Sequence, residues 1–273
     1  MKHPFRVAIE NGASKEELRN IFARNVVLYT YMLSKPVYGL ENAIEVVCAA
    51  VKVANPIIFT LQVCDNRQTF LFWEGHVGNK TFTGCTILVD GEDGLTSEMR
   101  VVMRPWPTTT LFRNAVFKEL SSVIPADYWQ PDPSQVIEEV SPGFTSIALQ
   151  KIPLATDFEL HSPIMARSIR GTENVEQALK LAHAIQSRSS YTSIIATPDL
   201  VIELFDCNAA GNPMEGLWVS KLNKQGQIYD LTVYLRPYPS VTVLRTYAKN
   251  WQKRHPNLPL WVLISIGNWP LLR

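Results

Sequence analysis

The chain has 273 residues, 46% of them hydrophobic and 19% charged, with 26 Lys and Arg set against 25 Asp and Glu. So much apolar content excludes a disordered chain, and so even a charge balance gives no support for a broad basic surface, so no nucleic-acid partner is expected. Size alone allows one large domain or two small ones, either able to fold without disulfide staples.

The opening Met1-Lys2-His3-Pro4-Phe5-Arg6 carries no apolar stretch of signal-peptide length, and the longest apolar run, Leu258 to Gly267, is broken by Pro259. A soluble cytoplasmic protein with no membrane association is therefore expected. Ser14 followed three residues later by Glu17 predicts a capped short helix, with Leu18, Ile21 and Phe22 as its apolar stripe. A β-branched strand over 26–30 leads to Gly39 and a helix over 41–53 whose Ala43, Val46, Val47, Ala50 and Val51 share one face. Period-two patterning then predicts antiparallel strands over 57–63, 69–74, 81–89 and 99–103, separated by hairpin turns. Residues 124–143, with Pro125, Pro131, Pro133 and Pro142, read as a linker. Beyond it come a helix over 173–185, strands over 191–197, 200–206, 214–220 and 227–235, and a helix over 241–253. The tail over 258–266 reads as an extra strand or a packing strap.

This order is a repeat. Arg104-Pro105-Trp106-Pro107 is echoed by Arg236-Pro237-Tyr238-Pro239, an offset of 132 residues. The same offset pairs Gly39-Leu40-Glu41-Asn42 with Gly171-Thr172-Glu173-Asn174, Gly84 with Gly216, Gly94 with Gly226, and Leu28 with Leu160. The matches fall on Gly and Pro, whose duties belong to the backbone. The chain thus reads as two α+β units, 14–120 and 145–254, joined by a Pro-rich linker over 121–144 and followed by a tail over 255–273. In each, a curved antiparallel sheet wraps the N-terminal helices.

The element order, with Asp157-Phe158-Glu159-Leu160-His161-Ser162-Pro163, Gly171 soon after it and a Gly-containing hairpin ending in Arg236-Pro237, resembles the SnoaL-like branch of the nuclear-transport-factor-two-like superfamily. The resemblance covers both units and implies a cone-shaped fold, a curved sheet and three helices around an apolar pocket open at one end. That superfamily holds isomerases, dehydratases, polyketide cyclases, epoxide hydrolases and plain binding proteins, so fold does not settle function. The isomerases' general base maps to Ser162 or Thr30, and their oxyanion acid to Trp218 or Thr86. None of these supplies a base or a proton at neutral pH, so that pair is missing from both units.

Alternation assigns faces. Glu203 disfavours burial, which turns Ile202 and Leu204, and their counterparts Phe70 and Phe72, into the cone. The same reasoning places Met99, Val101 and Met103, and Leu231, Val233 and Leu235, in an apolar lining suited to a small greasy molecule, or else simply in the core. Trp73, Cys85, Phe205, Leu217 and Val219 then fall on the opposite face. His161 should face away from the pocket, beside Ser162. Arg104 and Arg236 end central strands, where an Arg either grips a carboxylate ligand or pairs within the fold, with Glu41 and Glu173 as candidates.

Cys48, Cys64, Cys85 and Cys207 form no C-x-x-C pair and read as reduced thiols; His76, His183 and His255 lack a second ligand at metal spacing. With no nucleotide-binding glycine loop, neither a metal site nor a cofactor is expected. Relatives in the resembled superfamily dimerise through the sheet, a contact that two fused units would satisfy as an intramolecular pseudo-dimer, with a homodimer as the alternative. Three functions stay open: a small-molecule binding protein, with the second unit the favoured site; an isomerase, cyclase or dehydratase using a group such as His161; and an interaction scaffold anchored by Trp106, Trp129 or Trp269.

Overall fold

The computed structural model describes residues 1–132, 146–186, 191–209 and 211–254. The tail and half of the Pro-rich linker, with His255, Pro259 and Trp269, lie outside the described residues. Packing divides the chain into two compact units, Met1–Arg104 with Thr108–Gln130, and Pro105–Pro107 with Pro131 onward.

The first unit opens with a helix the sequence did not announce, α1 (Pro4–Glu10), whose N-cap is His3: the ring Nδ1 accepts the Phe5 N–H at 3.1 Å. Next comes α2 (Lys15–Arg19), where Ser14 and Glu17 close a capping box in both directions. The helix is shorter than its predicted stripe; Asn20 ends it and Phe22 already belongs to β1 (Phe22–Tyr29). A two-residue β2 (Val37–Tyr38) follows, and then α3 (Leu40–Val53), which buries Ala43, Ile44, Val46 and Val47. Its N-cap is Gly39 at φ 86°, a left-handed conformation that strains any residue with a Cβ.

Four antiparallel strands come next, β3 (Ile57–Asp65), β4 (Gln68–Val77), β5 (Lys80–Asp90) and β6 (Thr96–Arg104), hydrogen-bonded in sequence order. β1 lies alongside β6 and runs parallel to it, Leu28 beside Met99. Hairpin patterning cannot show a parallel pair, because its strands are joined by no turn. Helix α4 (Trp106–Leu120) leads into a single 3₁₀ turn at Ala126–Trp129.

Apart from α1 and the 3₁₀ turn, which have no counterpart among its described residues, the second unit runs through the same elements. α5 (Ile147–Lys151), β7 (Leu154–His161), β8 (Ile169–Arg170) and α6 (Thr172–Ile185) precede β9 (Tyr191–Ala196), β10 (Leu200–Ala209), β11 (Asn212–Leu222), β12 (Ile228–Arg236) and α7 (Tyr238–Arg254). Gly171, at φ 85°, caps α6 as Gly39 caps α3. β9 to β12 are antiparallel neighbours and β7 runs parallel to β12. Each unit is thus α+β, an open antiparallel sheet curved around helices. In the second unit Phe158, Leu160, Val175, Leu181, Phe205, Trp218, Leu231, Leu235 and Leu244 pack into one buried core.

Among the described residues no helix is long and apolar enough to cross a membrane. The four cysteines are free: Cys64 is exposed, Cys48 is half-buried, and Cys85 and Cys207 are buried. Burial pushes the thiols of Cys85 and Cys207 well above their ordinary range.

Candidate functional site

In the first unit the sheet and α3 enclose a cavity of about 60 Å³. Met99, Val101 and Met103 of β6 line it from one side, Val46, Val47 and Ala50 of α3 from another, and Phe5 and Ile9 of α1 complete the wall. Thr30 and Thr86 line it too. Both hydroxyls are engaged: Thr30 Oγ1 accepts the Met32 and Leu33 N–H groups at 3.1 and 3.0 Å, and Thr86 Oγ1 accepts the Trp73 indole N–H at 3.0 Å. Tyr31, buried in the same wall, shares a hydrogen bond of 2.8 Å with Thr109.

Phe70 and Phe72 do not reach this cavity. Trp73 does, so the inward set of β4 is Leu71 and Trp73, and the two phenylalanines are buried on the opposite face. The cause sits in the second unit. Glu203, taken as a residue that shuns burial, is fully buried and points inward. Its carboxylate accepts the Ser146 hydroxyl and the Ile147 and Ala148 N–H groups, the last two at 2.7 and 3.2 Å, so the start of α5 supplies the donors that water would. Burial, and then the Glu203 carboxylate, raises the neighbouring Tyr191 hydroxyl to about 12. Ile202 and Leu204 accordingly belong to the outer face, while Val201, Phe205 and Cys207 join the core.

The second unit has a cavity of its own, again about 60 Å³. Ser162, Trp218 and Val233 line it with Leu160, Leu181, Ile185 and Gln186. Leu231 and Leu235 are buried in the core without lining the cavity. The two units place their indoles differently: in the first, Trp73 on β4 and Thr86 on β5 line the cavity, and in the second, Trp218 on β11 lines it while the buried Phe205 of β10 packs 6.0 Å from that ring. Gln186 was not singled out by sequence, because a Gln just past a helix end looks like any surface cap. Only its 8% exposure distinguishes it.

Neither Arg104 nor Arg236 lines either of these two cavities. Arg236 is paired with Glu215, directly opposite it on β11, and not with Glu173; Glu41 is held by Arg19 at 2.8 Å and not by Arg104, which is buried opposite Thr83. Strand register puts Glu215 in reach, whereas Glu41 sits on the first turn of α3. His161 lies outside the cavity, its Nε2 3.1 Å from Asp230 Oδ2. Burial pushes the Asp230 carboxyl up, but the His161 hydrogen bond and the Lys221 charge outweigh it and hold the group below its usual value. Trp129, offered as an exposed anchor, is buried edge-on against Phe117 at 5.0 Å. Among the described residues no three of His, Cys, Asp and Glu are placed to share a metal ion.

No protein-family model matches the chain, and no curated protein matches it. Among solved structures, it is similar to a steroid delta-isomerase from Pseudomonas aeruginosa at 18% identity and a TM-score of 0.41, over 43% of this chain and 87% of that one. It is also similar to an uncharacterized protein with a cystatin-like fold from Silicibacter pomeroyi, at 19% identity and a TM-score of 0.41, over 44% of this chain and 88% of that one. A third is an NTF2-like protein of unknown function from Cytophaga hutchinsonii, at 12% identity and a TM-score of 0.32, over 38% of this chain and 87% of that one. Each of these three structures is matched over less than half of this chain.

Proposed function

We propose that the first unit binds a small apolar molecule, or the apolar end of a larger one, and performs no proton chemistry on it. One observation carries this reading: among the described residues the cavity wall holds no Asp, Glu, His, Lys, Arg or Cys, and its polar groups are two threonine hydroxyls, the Tyr31 hydroxyl and the Trp73 indole N–H. General acid–base catalysis needs a titratable group within hydrogen-bond reach of the reacting proton, and the titratable side chain in this wall, Tyr31, has its hydroxyl hydrogen-bonded to Thr109. An apolar wall instead rewards the removal of hydrocarbon from water, by roughly 25 cal/mol for each Å² covered.

Volume limits the guest. A cavity of about 150 Å³ lined by hydrocarbon admits benzene, so about 60 Å³ admits a group of only a few heavy atoms. Xenon is a probe of that size. With the methionine methyls labelled for NMR, the Met99 and Met103 signals shift saturably under xenon pressure, and Val101→Phe, which fills the space, removes the response. Unmoved methyl signals in the native protein would show a closed core and end this reading.

A further inference from the structure

Helix α1 walls one side of the first unit's cavity with Phe5 and Ile9, and it joins α2 through the turn Asn11-Gly12-Ala13, where Gly12 stands at φ 77°. Its charges are settled within its own segment, Glu10 pairing with Lys2 at 2.6 Å and with Arg6 at 2.8 Å. At the end away from the turn a polar latch fastens it to the sheet. The His3 N–H donates to Gln62 Oε1 at 3.2 Å, the Gln62 side-chain amide donates to the Met1 carbonyl at 2.9 Å, and His3 Nε2 lies 3.1 Å from Asp90 Oδ2. Because His3 Nδ1 accepts the Phe5 N–H, the ring proton is assigned to Nε2, where it faces Asp90.

Beyond Ile9 there is more space. Ile9, Val47, Val51 and Ile57 line the cavity and also a groove of about 230 Å³ that reaches Leu18, Cys48 and Lys52. Ile9 is the member of that partition carried by α1; the others belong to α3 and β3. Phe5, Ala8 and Ile9 are buried when the helix is down, so the shut form dominates. A short helix held by a half-exposed latch and a turn nevertheless opens at lower cost than the sheet behind it.

We infer that α1 is the gate of this cavity: it swings about the Gly12 turn when the latch lets go, and it joins the cavity to the groove so that a guest passes beneath Ile9. The inference rests on the reading of the cavity as a binding site, and it concerns how that site is reached.

The test uses the full chain and the latch variant Gln62→Ala, on β3 and outside the cavity wall, which removes two of the latch hydrogen bonds. Amide hydrogen exchange is read first, with no guest present. The Ala8, Ile9 and Asn11 amides should exchange as a set, well before those of Val46 and Val47 in α3. Gln62→Ala should speed that set about tenfold, equivalent to ~1.4 kcal/mol, and leave α3 unchanged. Saturation transfer to bound xenon then gives the rate at which xenon enters and leaves, which should rise by the same factor while the saturating pressure stays where it was. In the native protein, α1 amides that exchange only together with those of α3 overturn the gate, whatever the variant does. So does a variant whose α1 exchanges no faster, or a xenon rate that ignores a faster α1. No xenon response at all ends the reading of the cavity and takes the gate with it, whereas failure of the gate alone leaves saturable xenon binding in place.

Discussion

The Trp73 indole lies flat over Gly84 on the neighbouring strand, so close that a Cβ there would sit 2.4 Å from Cζ2 of the ring. The second unit repeats the device with Phe205 over Gly216, where a Cβ would meet Cζ at 2.1 Å. A missing side chain on one strand is the seat for a ring on the next. In the first unit that seat also aims the indole N–H at Thr86 in the cavity wall.

Gly84→Ala therefore drives the indole out of its seat, and overpacking of this kind costs about 2 kcal/mol. Urea unfolding should show that loss, and the xenon response of Met99 and Met103 should change with it. Gly84→Ala combined with Trp73→Leu should recover part of the stability, since the ring that clashes is gone.

Glu203→Ala leaves the Ser146 hydroxyl and the Ile147 and Ala148 N–H groups without their acceptor. Orphaning buried partners of a carboxylate costs about 3 kcal/mol, which a chemical denaturation curve reads directly. The milder Glu203→Gln removes the negative charge from beside Tyr191. Because burial is the larger cause of that hydroxyl's rise to about 12, its titration, followed by ultraviolet absorbance, should fall only part of the way to the ordinary value of 10.0.

Asp230 sets a pH dependence. Its native carboxyl binds a proton less readily than in the unfolded chain, so its contribution to stability is fully present above the unfolded value of about 3.9. That contribution is lost as pH falls through the depressed native value. Asp230→Asn should be less stable than the native protein at neutral pH and lose less on acidification below about pH 4. Urea midpoints measured across that range give the answer, and parallel curves would contradict it.

His161 reaches Asp230 and not the cavity. His161→Ala should lower stability at neutral pH by about 1 kcal/mol, the worth of one partly exposed hydrogen bond, read from urea midpoints. An unchanged midpoint would show that the His161–Asp230 contact contributes nothing.

Glycines and prolines made the repeat legible because their positions report backbone need: Gly39 and Gly171 share a positive φ, and Gly84 and Gly216 share an overlying ring. Faces were harder to read. Residues 69–73 of β4 are buried without a break, so nothing in that strand distinguishes inside from outside. The phase was borrowed from Glu203 and inverted, because the donors that make its burial tolerable come from Ser146 to Ala148, more than fifty residues away along the chain. The isolated Gln186 escaped for a related reason: depth belongs to the fold and is not written in a residue's type.

Ser14 and Ser146 hold the same place in the two copies, each accepting a helix N–H three residues on. In the first copy the acid that completes the arrangement is Glu17, within the same turn; in the second, Leu149 stands there and Glu203 provides the carboxylate. During synthesis the first of these turns has everything it needs within four consecutive residues. The second must wait until β10 has been made and has come back to it. Two matching segments of the chain are thus set on different clocks, the earlier governed by its neighbours and the later by long-range closure of the chain.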